Sequence, residues 1–360
     1  VRSLFFFIKM STGVNTVLEY KQSELEVMIG HAQYVPSLNS VFPWTSLISM
    51  VTDHFTHRDY PHKVTDSIII TTEDATKDLP DFLLAMNLTD KVRFKVQTGD
   101  WLAITDFCAY TESSWIDSII REKYINMHFQ PIITSEGSIY GYELLARFIN
   151  NDGETIYPDV IFPGARARGR TFALDRLCRI QGVRQVARLQ KNQKAFINFI
   201  PTAIYRPEYC LKTTTAVANQ LNIDNERFVF EVVETEKTDD TDHLKSILTY
   251  YQDNGFCYAL DDVGAGYNTL DLLSDLKPPY VKLDRQFVDG VHASSDKQAV
   301  ALAFLEKADE YGAVTLAEGI ESADDFKWLK SLGYQLFQGY LFGKPLPDPL
   351  DVDRIDLTLL

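Results

Sequence analysis

"YALDDVGAGYNTL", residues 258–270, ends an apolar run on two adjacent aspartates and turns at once through Gly264, Ala265 and Gly266. A glycine-rich turn after a strand, with an acid such as Asp284 about 20 residues on, is the pattern of a dinucleotide-binding parallel sheet. Two features oppose that reading. The third glycine position holds Thr269, and Asp261 with Asp262 would face a pyrophosphate with like charge at close range. A calcium loop needs alternating acids, and that spacing is absent. A pair of carboxylates at a strand end remains, and the flanking sequence says what kind of sheet presents it.

Outward from this stretch, apolar runs of strand length recur: "INMHFQPII" (125–133), "YGYELLARF" (140–148), "AFINFI" (195–200), "FVFEVVE" (228–234), "FCYALDD" (256–262), "YVKLDRQFV" (280–288), "AVTLAEGI" (313–320) and "QLFQGYLFG" (335–343). Helical stretches separate them. In "ALDRLCRIQGVRQVARLQ" (173–190), Leu174, Leu177, Cys178, Val183 and Val186 form an apolar stripe. Eight strands alternating with helices predict a (β/α)8 TIM-like barrel, and the span of about 235 residues suits the ~250 typical of that fold. Catalytic groups of such barrels sit at the C-terminal strand ends. Here those ends carry Glu143, Asn198, Glu231, Glu234, Asp261, Asp262, Lys282, Asp284, Glu318 and Glu321. Any one of these acids reads equally well as a helix cap or a solvated loop residue. The whole set does not.

Residues 1–122 have a different texture and read as a small α+β module, sensory or partner-binding, ahead of a barrel over 123–360. Trp44, Leu47, Ile48, Val51 and Phe55 recur at helical spacing, "SIIITT" (67–72) reads as a strand, and "VRFKVQTGDWLAITDF" (92–107) as a hairpin turning at Thr98, Gly99 and Asp100. "SSWIDSIIREKY" (113–124) reads as a connecting helix capped by Ser113 or Ser114. His54, His57 and His62 read as a surface loop rather than a zinc site, because no cysteine accompanies them and Pro61 interrupts. "LFFFI" (4–8) is far shorter than the ~20 residues of a membrane span and reads as a core strand, with the remnant of a longer segment or residue upstream of a start at Met10 as alternatives.

The 360 residues, 45% hydrophobic and 12% aromatic, suffice for a large core, which excludes a disordered chain. A net charge of -15 excludes nonspecific binding to polymeric nucleic acid or anionic membranes, which needs lysine and arginine against phosphate. Cys108, Cys178, Cys210 and Cys257 form no CxxC pair and read as reduced core thiols, which suits the cytoplasm.

Crowded carboxylates repel unless a cation neutralises them. Oxygen donors from Asp, Glu and Asn suit magnesium or manganese rather than zinc. Two such ions, about 3.5 to 4 Å apart, would clamp the attacking and departing oxygens of a phosphoester displacement. Lys282 would orient the attacking water or steady developing charge, and Arg147 offers a two-pronged donor for a phosphate oxygen pair. The residues alone thus point to metal-assisted phosphodiester hydrolysis.

In order, these motifs resemble the EAL domain family, phosphodiesterases that hydrolyse the bacterial second messenger cyclic di-GMP. The Glu-Ala-Leu signature with its arginine is similar to "ELLAR" (143–147), with Leu144 in the alanine place. The "QP" strand matches Gln130 and Pro131, and "INFIP" carries the asparagine strand with Asn198. "EVVET" resembles "EITES", "DDVGAGYNT" resembles "DDFGTGYSS", "KLD" resembles "KID", and "AEGIE" resembles "AEGVE". "QGYLFGKPLP" (338–347) resembles the closing motif, so the likeness covers about 125–347.

The resemblance implies a barrel with one antiparallel strand, hydrolysis to linear pGpG, two magnesium or manganese ions, and a homodimer. It implies metal ligands at Glu143, Asn198, Glu231, Asp261, Asp262 and Glu318, catalysis by Lys282 with Glu318 and Glu143, and substrate contacts from Gln130, Leu145, Arg147, Asp175 and Gln338. Glu234, Asp284 and Glu321 would support that set from behind. Val233, Val263 and Asn268 depart from the family pattern and bear on rate. The intact set favours an active enzyme; the alternative is a catalytically silent receptor that binds cyclic di-GMP and signals through residues 1–122.

Overall fold

The structure is a computed structural model that describes residues 24–29, 44–65, 68–96, 101–150, 152–233, 241–263, 273 and 275–359. Contacts divide the chain into two units, Val1–Ile116 with Pro163–Arg170, and Asp117–Phe162 with Thr171–Leu360.

In the first unit, strands β1 (Glu24–Ile29), β2 (His62–Thr65), β3 (Ile68–Thr72), β4 (Val92–Val96) and β5 (Leu102–Ala103) form an antiparallel sheet in the order β2-β3-β1-β4-β5. Helix Trp44–His57 lies between β1 and β2, and helix Leu79–Ala85 between β3 and β4. This is the βαββαβ order of a ferredoxin-like unit with one strand added. Leu47, Val51 and Phe55, one helical face, pack with Ile69, Leu83, Phe94 and Phe107 in its core. The expected α+β module is therefore present. The β4–β5 pairing is the expected hairpin, but its turn, like residues 4–8, lies outside the described residues. His54 and His57 sit in the last turn of a helix and His62 in β2, not in the surface loop expected, because the helix persists to His57 before the turn at Arg58 and Asp59. Ser113 does not use its hydroxyl as a cap; it donates to the Ala109 carbonyl at 2.7 Å. Of the cysteines expected in the core, Cys178 and Cys210 are buried and Cys257 is partly so, but Cys108 is exposed.

The second unit is the barrel. Its strands are β6 (Ile125–Thr134), β7 (Ile139–Ile149), β9 (Lys194–Phe199), β10 (Phe228–Val232), β11 (Cys257–Val263), β12 (Tyr280–Leu283), β13 (Val314–Ala317) and β14 (Leu336–Gln338), while β8 (Thr155–Ile156) pairs only with the end of β7. From β7 through β9 to β14 neighbours are parallel, and β6 closes the ring antiparallel to both β14 and β7. One antiparallel strand in eight is the variant the family resemblance implied.

Strand alternation sets the interior. Ile132, Phe196, Val229, Ala259, Tyr280, Leu316 and Leu336, one from each of seven strands, form a single apolar cluster. Side chains repeat their facing every second residue. The residues two positions further towards the mouth are Gln130, Asn198, Glu231, Asp261, Lys282, Glu318 and Gln338, the first counted backwards because β6 runs the other way. A layer of polar groups thus rests on an apolar floor. The expected strand 280–288 stops at Leu283, because Asp284 accepts from the Gln286 amide at 2.7 Å and caps a short helix, Arg285–Val288.

Candidate active site at the barrel mouth

Two hydrogen-bonded groups make up the polar layer. In the first, β6–β7 pairing sets Gln130 directly opposite Glu143. Glu143 accepts from Asn198 Nδ2 at 2.8 Å and from Gln338 Nε2 at 2.7 Å, and Gln338 also donates to Gln130 Oε1 at 3.1 Å. Burial alone would push the Glu143 carboxyl up. The Lys282 ammonium, the two amide donors and Arg147 outweigh it and hold Glu143 below the usual carboxylate range.

In the second group, Lys282 Nζ lies 2.8 Å from Glu231 Oε1 and 3.1 Å from Asp261 Oδ1, and it also touches Glu318 Oε1. Lys282 is 1% exposed and Glu231 not at all. Burial raises Glu231 and Glu318 well above the ordinary glutamate value, with Asp261 and Glu143 adding to it against the pull of Lys282. Burial would lower the Lys282 ammonium, but Asp261, Glu231, Glu318 and Glu143 together raise it well above its ordinary value. Four carboxyls gathered around one ammonium cannot all ionise cheaply in a site of low polarisability unless a further cation joins them.

The paired aspartates have a local cause. Against β12, Leu260 pairs with Val281 and Val263 with Leu283, so β11 holds one more residue than its partner at Asp261 and Asp262. Such a bulge bends the strand and re-aims side chains at a site. The Asp262 side chain and all of Glu234 lie outside the described residues.

Other expected site residues sit apart from the polar layer. Leu145 and Arg147 follow Glu143 on the same face of β7, both partly exposed. The Arg147 guanidinium stacks over the Tyr157 ring at 5.1 Å, and burial lowers its pKa. Asp175 lies inside helix Thr171–Gln185, 2% exposed, paired with Arg179 at 2.8 Å and accepting from the Ile200 amide at 2.9 Å. Arg179 in turn donates to Thr214 Oγ1 at 2.7 Å. Glu321 pairs with Arg285 at 2.9 Å on the surface. Tyr157, Arg179 and Arg285 escaped sequence reading. Only Arg179 left a signal there, four residues from Asp175 on one helical face.

Glu231 Oε2 is buried without a hydrogen-bond partner, while Lys282 Nζ serves Glu231 Oε1 at 2.8 Å and also touches Glu318 Oε1. Among the described residues no three His, Cys, Asp or Glu side chains converge as a ready metal cage. The donor chemistry nonetheless fits a hard divalent cation: oxygen donors crowded beyond what one ammonium neutralises, with a buried Glu231 oxygen left without a donor.

Residues 114–345 match the family model described as the EAL domain. The chain belongs to the EAL domain family. The probable cyclic di-GMP phosphodiesterase PdeG of Escherichia coli K12 is 31% identical over 250 residues, covering 66% of this chain and 48% of that protein. Cyclic di-GMP phosphodiesterase PdeR of the same strain is 27% identical over 256 residues, covering 67% and 39%. The chain therefore spans less than half the length of these curated relatives. A standalone EAL protein from Vibrio cholerae O395, solved in its c-di-GMP-bound form, is 34% identical with a TM-score of 0.56, covering 62% of this chain and 93% of that one. The FimX EAL domain of Pseudomonas aeruginosa, bound to c-di-GMP, has a TM-score of 0.60 at 20% identity over 68% and 98% of the two chains, a likeness of fold alone. No helix among the described residues is long and apolar enough to cross a membrane.

Proposed function

We propose that this EAL protein hydrolyses cyclic di-GMP to linear pGpG. The observation that carries the reading is the polar layer itself. Glu143, Asn198, Glu231, Asp261 and Glu318 face inward around Lys282 on consecutive strands, at the end of the barrel where such folds place chemistry. Relatives at 27% and 31% identity are named as phosphodiesterases for this nucleotide, and the V. cholerae structure holds it.

Glu143, Asn198, Glu231, Asp261 and Glu318, with Asp262, would hold magnesium or manganese, two ions in the fullest form. Bound there, the metal supplies Lewis-acid polarisation of the phosphoryl oxygens and acidifies water. The protein's own groups do the rest. Gln338 and Asn198 fix both oxygens of Glu143, so its carboxylate is pre-oriented at no further entropic cost. Lys282 keeps its proton and offsets negative charge growing on the attacking water and the phosphoryl group. Glu318, an ionised ligand of the cation in contact with Lys282, keeps the ammonium beside the attacking water. Arg147, partly exposed, and Gln130, within the polar layer, bind the phosphates, and Asp175 acts through Arg179 and the Ile200 amide by holding the end of β9 in place. A homodimer through the barrel and a sensory or partner-binding role for the first unit complete the reading.

The intact set of inward donors favours turnover over a silent receptor. Purified Glu143→Ala, supplied with magnesium or manganese, should lose hydrolysis while its melting curve stays cooperative; wild-type rates in that variant would refute the assignment.

A further inference from the structure

Arg285 holds a position that no catalytic role explains. It opens the helix Arg285–Val288, three residues after Lys282, and Asp284 caps that helix so that the Arg285 side chain is turned toward the next strand end. There its stem covers Gly319. A Cβ on Gly319 would fall 2.5 Å from Arg285 Cγ and 2.6 Å from its Cβ, and Gly319 has a φ of +66°. Only glycine combines that backbone with so close an approach. The guanidinium then reaches over to Glu321 at 2.9 Å.

Glu318, the residue before Gly319, has its own amide bonded to the Leu283 carbonyl at 3.2 Å, and Leu283 follows Lys282. Glu318 is thus bracketed from the Lys282 strand: Leu283 holds its amide, the Arg285 stem holds Gly319, and the Arg285 guanidinium holds Glu321. We propose that Arg285 is a positioning residue that clamps the loop 318–321 to the end of β12 and so fixes the Glu318 carboxyl against Lys282. An exposed ion pair adds little to global stability. Its effect here is on geometry, where displacement of a reacting group by about 1 Å costs up to ~100-fold in rate.

The kinetic consequence rests on the phosphodiesterase reading; the clamp does not. The test is hydrogen exchange at the amides of 318–320 in metal-free protein, with steady-state kinetics on cyclic di-GMP in parallel, for Arg285→Ala, Arg285→Lys, Arg285→Glu, Glu321→Arg and the reversed pair Arg285→Glu with Glu321→Arg. We expect Arg285→Ala to speed exchange at these amides about tenfold with the other barrel strands unchanged. It should lower kcat about tenfold with KM within about twofold. Arg285→Lys and the reversed pair should recover most of both losses. Wild-type exchange in Arg285→Ala, or a reversed pair no better than its single variants, would overturn the clamp. A wild-type protein that fails to hydrolyse cyclic di-GMP counts against the phosphodiesterase reading alone, since the exchange rates still decide the clamp.

Discussion

Replacing Lys282 with methionine removes the ammonium that Glu231, Asp261 and Glu318 share while keeping most of the side chain's volume. At 2.8 Å, with an effective dielectric of about 20, one such contact is worth ~6 kcal/mol before desolvation. Breaking a buried pair from one side costs about 3–5 kcal/mol, because the stranded charges keep their desolvation penalty. Here the carboxyls have an escape. Glu231 and Glu318 already have raised pKa values, so in the variant they take up protons instead of remaining stranded. The sign follows from linkage. An acid with a raised folded pKa binds more protons folded than unfolded, so stability falls as pH rises from the unfolded value of about 4.3 through the folded one. The variant's deficit should therefore be ~3 kcal/mol near pH 8 and shrink to ~1 kcal/mol or less near pH 5. Urea unfolding of metal-free wild type and variant at the two pH values measures it, and turnover should drop at least about 100-fold. A deficit that is absent at pH 8, or that grows on acidification, would refute the charge assignment.

Asp175→Ala should cost about 3 kcal/mol in urea unfolding by stranding the buried Arg179 guanidinium, with weaker binding of cyclic di-GMP as the β9 end loosens. Asp325 accepts from the amides of Gly290 and His292, both at 3.0 Å, and from His292 Nδ1 at 2.7 Å. Burial would raise its carboxyl, but those bonds outweigh it and depress the folded pKa, so its stabilisation is present above about pH 3.9 and is lost as pH falls through the folded value. Asp325→Ala should lose ~2 kcal/mol at neutral pH and converge with wild type in acid, as followed by thermal melts. A Cβ at Gly339 would lie 2.0 Å from the Ile320 carbonyl oxygen, so Gly339→Ala should destabilise by ~3 kcal/mol and shift Gln338 away from Glu143, read as a lower melting temperature and lost turnover.

The barrel was legible because each strand end carries its own message. In "AFIN", "FVFE", "YALD", "YVK", "TLAE" and "QLFQ", an apolar residue precedes a polar one by two positions, and period-two facing puts both on one side of the sheet. The antiparallel setting of β6 was not legible in patterning, since a strand buried on both sides reads the same in either direction. The bulge at Asp261 and Asp262 was hidden for a related reason: adjacent acids look alike whether the chain alternates regularly or carries one extra residue. Asp284 and Glu321 were legible as acids near the site but not as to partner. Asp284 went to a helix cap and Glu321 to Arg285, because chain direction changes sharply after Leu283 and after Gly319, and pattern alone carries no turn geometry. The stretch 258–270 itself ends outside the described residues after Val263, so its glycines keep only their sequence reading as a turn that leaves the carboxylates behind.

The most direct measurement is chromatography of purified protein incubated with cyclic di-GMP, once with manganese or magnesium and once with chelator. The expected result is linear pGpG accumulating over many turnovers with the cation and none with chelator. Tight retention of intact cyclic di-GMP, with no linear product in the presence of either cation, would contradict the phosphodiesterase reading and leave a receptor in its place.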